Sequence, residues 1–323
     1  MIWYVEEGIG ETRAVRLENG EIAEARLAWP GELIAGTVAE ARLVSRARGS
    51  ARGTAQFTDG SRALVDGLPP GTSQGAKIRL VITRMAMAEQ GRFKLAHARP
   101  TDAPPRLAPT LAESLADAGH EVRPVRRFPA GDWDELLADA FAGEIAFAGG
   151  TLLLSPTPAM TLIDVDGDAA PRALALAACE PIARAVFRLG ISGSIGVDFP
   201  TLSQKTDRRA VDEALARALA GWPHERTAMN GFGFVQLVAR LERPSILHRA
   251  SHARAASAAR LLLRRAEMLE GAGVIALAGH PALMPYLTPE WLAELRRRTG
   301  RELRLRAEPT LAIEAPQAQL VGQ

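Results

Sequence analysis

The chain has 323 residues, a formal net charge of +2, a pI near 9.0 and a single cysteine, Cys179. At this length about three-quarters of the unfolded surface can be buried, which suits two or three domains, and one thiol excludes an internal disulfide framework. The cations are nearly all arginine, with lysine only at 77, 94 and 205; arginine suits bidentate phosphate recognition, and a GC-rich genome gives the same bias.

In chain order, MIWYVEEGIGE lacks the basic start and apolar run of a signal peptide, so a cytoplasmic location is expected. Residues 1–34 read as a hairpin: a strand through ETRAVRL, a turn at Glu18-Asn19-Gly20, and a strand through EIAEARL. Residues 35–99 are strand-like, glycine-rich and basic, with Arg42, Arg46, Arg48, Arg52 and Arg62 close together. RPTDAPPRLAP (99–109) reads as a proline-rich linker. Helices are expected near 110–119 and 131–142. Residues 145–163 carry no charge and are long enough to span a bilayer, but Gly149, Gly150, Pro156 and Pro158 interrupt them and leave two strands.

TLIDVDGD (161–168) and GSIGVDF (193–199) read as short buried strands with acids near their carboxyl ends. Asp164 and Asp166 are two apart and so share a face. Between the strands, 174–190 shows helical spacing, which makes a βαβ crossover with two parallel strands. Function in open α/β sheets collects at the carboxyl ends of strands, where Asp164, Asp166 and Asp198 lie. Converging carboxylates hold hard ions such as Mg²⁺ or Mn²⁺; strand-end aspartates that merely cap loops have the same spacing. Residues 207–221 read as an amphipathic helix ended by glycine. The last seventy residues read as helix, strand, helix, strand, with a loose tail at 317–323.

Other patterns fail. Asp164-x-Asp166-x-Asp168 lacks the glycine and closing glutamate of a calcium loop, since Ala169 and Ala175 stand there. His248 and His252 are spaced like zinc ligands, without the intervening glutamate or a third ligand. Gly190, Gly193 and Gly196 miss the dinucleotide spacing.

Four segments in order carry a resemblance: AGGTLLLSPTPAMTLIDVDG (148–167), ACEPIARAVFRLGISGSIGVDF (178–199), RRAVDEALARAL (208–219) and GFVQLVARLERPSIL (233–247). They resemble the catalytic core of the ribonuclease E/G family. Upstream, 11–27 resembles that family's N-terminal strand pair and 34–67 its S1-type RNA-binding module; 253–311 looks like its terminal small domain. The resemblance implies an α/β (α+β) fold: an RNase H-like/DNase I-like mixed-sheet catalytic core, an inserted small S1-type β-barrel and a C-terminal small α/β domain. It divides the chain into N-terminal strands (1–34), an S1-like module (35–100), a linker in place of a 5′-sensor domain (101–130), the core (131–250) and the small domain (251–323). The S1-like module is short for a five-stranded barrel, so a pared-down version is expected.

The implied activity is hydrolysis of single-stranded RNA by a Mg²⁺-dependent endoribonuclease, with Mn²⁺ as a substitute. Asp164 and Asp198 are the implied metal ligands, and Asp166 orients Asp164 or joins through water. Phe57 falls on the family's base-stacking position, and Arg62, Arg240 and Arg243 are the expected RNA phosphate contacts; on the residues alone, Phe57 also suits a core and the arginines a solvated face. This sequence departs from the family's pattern in several places. Asp166 stands where the family has Asn, Leu64 replaces the second aromatic, Thr201 replaces an acid, and the family's basic pair falls on Ala239 and Leu241. The zinc-linking cysteines are absent from HRASHARAAS (248–257), so a monomer or weak homodimer without a zinc link is expected, and no membrane partner. With no room for a 5′-sensor domain, similar cleavage of 5′-monophosphorylated and 5′-hydroxyl RNA is expected. The alternative is a relative that holds RNA or a ribosomal partner without cutting; a metal-dependent phosphatase or DNase shares the acids but needs no S1-like module.

Overall fold

The computed structural model describes residues 1–89 and 92–322. Strands β1 (Ile2–Gly8), β2 (Glu11–Glu18) and β3 (Glu21–Ala28) form an antiparallel meander. The β2–β3 turn falls on Asn19 and Gly20, both at positive φ, as the sequence predicts. β1, outside the expected hairpin, alternates Trp3 and Val5 inward.

The next segment closes on itself. Strands β4 (Val38–Arg46), β5 (Gly53–Phe57), β6 (Arg62–Val65), β7 (Lys77–Arg84), a small hairpin of β8 (Met87–Glu89) and β9 (Arg92–Lys94), and β10 (Ala96–Pro100) follow one another. β4, β5, β6, β7 and β10 make a closed barrel in the order β10-β6-β5-β4-β7. The expectation of a pared-down module is therefore overturned. The reason lies inside: Ala41, Ala55, Ala63, Ala96 and Ala98 share the interior with Leu43, Phe57, Leu80 and Ile82. A barrel of few strands is narrow, and alanines leave the room that closure needs.

Residues 101–130 are more than a linker. They contain α1 (Leu111–Asp117), opened by a reciprocal Thr110–Glu113 cap. They also contain β11 (Glu121–Val125), which pairs parallel with β1 from Ile2↔Glu121 to Glu6↔Val125. The first sheet, β11-β1-β2-β3, is thus completed across the barrel insertion.

Then come α2 (Trp133–Ala142), β12 (Glu144–Phe147), β13 (Gly150–Pro156), β14 (Thr161–Asp166), α3 (Pro171–Arg188), β15 (Ser194–Asp198), α4 (Lys205–Ala218), β16 (Glu225–Arg226) and β17 (Phe234–Val238). They build a six-stranded sheet in the order β12-β13-β14-β15-β17-β16. Only β14 and β15 are parallel, joined by α3 as the βαβ pattern predicts. The apolar stretch 145–163 breaks at Gly149 as well as at the prolines, so it touches three strands rather than two.

One face of this sheet is the core. Leu152, Leu154, Ile163, Val165, Ile195, Val197, Val235 and Leu237 are buried with α3 residues such as Ala178 and Ile182. Side chains alternate along strands, so the acids fall on the other face, where Leu153 and Val238 are exposed.

The chain ends with α5 (Ile246–His252), α6 (Arg254–Glu267), β18 (Val274–Gly279), α7 (Pro289–Thr299), β19 (Leu303–Ala307) and β20 (Gln317–Val321). The expected loose tail is ordered through Val321, because β20 pairs antiparallel with β18 along its length. Three arginines dock this unit on the first sheet: Arg264 on Glu6 at 2.9 Å, and Arg260 and Arg298 on the carbonyls of Gly10 and Glu7. Among the described residues, no helix is long and apolar enough to cross a membrane.

Candidate functional site

Parallel pairing sets Asp164 directly beside Asp198. Paired residues in a ladder project to the same face, so the two carboxylates stand together at the carboxyl ends of β14 and β15. Asp166 follows on the same face, one pleat further, and accepts the backbone N–H of Gly167 at 2.9 Å. Asp164 is exposed on the open face; partial desolvation raises it above the usual carboxylate range, and the Asp198 and Asp166 charges push it further. Carboxylates set this close disfavour one another's ionised form, and a cation between them would relieve that repulsion.

The fit to a metal is partial. Among the described residues, no group of three or more His, Cys, Asp and Glu is placed to hold an ion. The arrangement is therefore a pair of adjacent carboxylates with a third nearby, not a closed cage. Mg²⁺ suits such a site, since it retains several waters and usually takes one or two carboxylates plus substrate phosphate.

The surroundings of Asp198 follow from glycine. On its other side β15 pairs with β17, so Phe234 faces Asp198. The Phe234 ring lies over Gly196, where a β-carbon would come 2.5 Å from Cζ. Beyond Phe234, the loop 230–233 is tied to the segment after Asp198. The Phe199 N–H donates to the Gly233 carbonyl at 3.2 Å, and the Thr201 hydroxyl donates to the Phe232 carbonyl at 3.2 Å. Gly233 has φ +93° and a β-carbon there would meet the Phe199 carbonyl at 2.3 Å, so only glycine fits. The result is Phe232, 81% exposed, on the loop that abuts the strand end carrying Asp198.

The expected RNA contacts divide. Phe57 is 6% exposed and packs inside the barrel with Leu43 and Ala55. It is not an exposed ring; strand alternation turns it inward with Ala55, two residues before it. Arg62 is exposed on β6 and lines a cavity of about 320 Å³ with Trp29, Phe93, His248 and Arg249. Arg240 and Arg243 do not join the acids. Asp198 pairs with Phe234 at the start of β17, and Arg240 comes six residues later, roughly 20 Å away at strand rise.

Two aromatics were missed in the sequence. Phe93, 64% exposed, sits on the β8–β9 hairpin that extends the barrel; its signal is the basic-aromatic-basic run Arg92-Phe93-Lys94. Phe232 was announced by Gly231-Phe232-Gly233-Phe234, since glycines on both sides of an aromatic point to a tight, ring-presenting turn. The barrel hairpin meets the sheet at the amino ends of β14 and β15: Met87 and Lys94 share a cavity with Thr161, Ser194 and His248. From Ser194 to Asp198 is roughly 13 Å along the strand.

No protein-family model matches the chain, and no curated protein matches it.

Proposed function

We propose that the protein is a Mg²⁺-dependent endoribonuclease that cuts single-stranded RNA on the open face of its six-stranded sheet. The observation that carries this reading is the Asp164–Asp198 pair, side by side at the carboxyl ends of parallel strands with Asp166 beside it. Asp164 and Asp198 would hold the ion, which supplies an activated water and charge stabilisation for phosphodiester hydrolysis. Asp166, fixed by the Gly167 N–H, adds negative charge at the edge of the site. Phe232 offers a ring to an unstacked base next to the acids, and Phe93 offers a second at the barrel hairpin. Single strands are suited to such contacts because their bases are free to stack on aromatics. Arg62 follows the backbone beside Phe93. On this reading the fold is the RNase H-like/DNase I-like core with an inserted S1-type barrel, acting in the cytoplasm on RNA as a monomer or weak dimer.

The test is cleavage of a single-stranded RNA by the pure protein in Mg²⁺, with chelator and Asp198→Ala controls. Cleavage that needs both the ion and Asp198 supports the proposal; Asp198→Ala cutting at the wild-type rate removes it.

A second reading has its own support. The absence of a three-ligand group among the described residues and the distance of Arg240 and Arg243 from the acids favour a relative that holds RNA without cutting. Retained RNA binding with no Mg²⁺-dependent product would select it.

A further inference from the structure

A cavity of about 240 Å³ opens where β3, the end of α3 and the segment after β17 meet. Three guanidinium groups line it: Arg26, Arg240 and Arg243. Two carboxylates also line it, and both are engaged. Glu24 pairs with Arg16 at 2.8 Å, and Glu242 pairs with Arg240 at 3.0 Å. Arg26 and Arg243 have neither a hydrogen bond nor an ion pair among the described residues; Arg26 rests over the Trp3 ring, 4.9 Å from its centroid. Arg249 lies close enough to repel Arg243, yet its own charge is committed to Glu32 through bonds of 2.9 and 2.7 Å.

Burial, and after it the Arg26 charge, hold Arg243 below its ordinary pKa. The half-buried guanidiniums of Arg26 and Arg243 open to the cavity with their donors free, and their like charges repel each other. An anion with several oxygens offsets that repulsion and takes up the free donors, and the planar fork of arginine matches phosphate bidentately. Trp222 completes the wall, so the cavity combines cationic donors with an aromatic flank.

We propose that this cavity is a second binding site, for a phosphate group, held by Arg26 and Arg243 with Arg240 at its mouth. It lies at the end of the sheet opposite to the acids and does not depend on cleavage. A phosphate of RNA and a free phosphate share the chemistry, so the experiment has an arm for each.

In the first arm, thermal unfolding of the full chain is followed as inorganic phosphate replaces chloride at constant ionic strength. The melting temperature is expected to rise and saturate in wild type, and to stay flat in Arg243→Met and Arg26→Met. Without phosphate, Arg243→Met is expected to melt at or above the wild-type temperature, because it removes an unpaired charge; this shows that lost binding is not lost folding. In the second arm, binding of one oligoribonucleotide with a 5′-phosphate or a 5′-hydroxyl is measured in chelator, where no cutting occurs. Arg243→Met is expected to weaken binding by about tenfold or more. Loss for the phosphorylated oligomer alone assigns the site to chain ends; equal loss for both assigns it to internal phosphates. A phosphate response that survives in both variants, or no response in wild type in either arm, overturns the proposal. Because neither arm reads cleavage, failure here leaves the nuclease reading standing, and failure of the nuclease leaves this site standing.

Discussion

Asp164 illustrates how a single residue reports on a site. Its carboxyl is driven upward by partial desolvation, by Asp198 and by Asp166, so its ionised form is disfavoured in the folded chain without a cation. Asp164→Asn keeps the shape and removes one of the repelling charges. It is expected to raise the melting temperature in chelator; Mg²⁺ is expected to raise the melting temperature of wild type and not of this variant, and Asp198→Asn is expected to lose cleavage with it. Asp166→Asn is expected to be mild, since Asp166 is not directly paired with Asp198. A second contrast concerns the rings. Phe232→Ala is expected to weaken single-stranded RNA binding by about 1–3 kcal/mol with little change in stability, since the ring is exposed. Phe57→Ala is expected to cost about 3–5 kcal/mol of stability as a core cavity. Filter binding and thermal melts on both variants check this; a stable Phe57→Ala that loses RNA would return Phe57 to the stacking role.

At the scale of elements, the β8–β9 hairpin and α5 meet around His248, which contributes to the cavities on both sides of it. Burial, with His252 and Arg249 adding repulsion, lowers its pKa from 6.5 to about 4. The folded protein therefore holds His248 neutral while the unfolded chain takes a proton at higher pH. Its contribution is fully present above pH 6.5 and is lost as pH falls from 6.5 through about 4. Melting temperature measured across that window is expected to fall less steeply in His248→Gln than in wild type. The elements also show what the sequence could and could not reveal. The βαβ unit was legible because β14 and β15 are short apolar runs ending in acids around an amphipathic helix. The Asn19-Gly20 turn was legible because the tight hairpin turn requires positive φ at both central positions, which Asn and Gly tolerate best. By contrast, β11 and β20 were hidden, because their pairing partners, β1 and β18, lie far away in sequence. The acids could be placed at the carboxyl ends of β14 and β15 from the apolar runs that precede them, whereas the register that sets Asp164 beside Asp198 came only with the structure. Phe57 could not be oriented, since alternation gives two faces and only closure of the barrel says which is inside.

At the scale of the whole molecule, one charge network joins the first sheet to the C-terminal unit. Arg13 is fully buried between Glu6 and Glu11, Glu6 also receives Arg264, and Trp29 donates its indole N–H to Glu11 at 3.1 Å. Removing one member leaves buried charge uncompensated, a loss of about 3–5 kcal/mol in comparable cases. Glu6→Gln is expected to lower stability by that order and to loosen α6 from β1. Hydrogen exchange should then show α6 amides opening earlier than those of the barrel, which has a separate core. If α6 and the barrel lost protection together, the network would not be what holds the two ends of the chain.

The barrel leaves and rejoins the rest of the protein at one pinch, where Val38 and Arg106 exchange both backbone bonds at 2.9 Å. This has a consequence for the order of assembly. As the chain emerges from its amino end, β1 waits for a partner, β11, that is made only after the whole barrel. The barrel's strands pair among themselves, so they can close before β11 is made, and closure would bring Val38 to Arg106. Such closure takes the nearly seventy residues from Val38 to Arg106 out of the loop between β1 and β11, which lowers the entropic cost of that late pairing. The insertion thus acts as a clasp, bringing together the ends of the sheet that it interrupts.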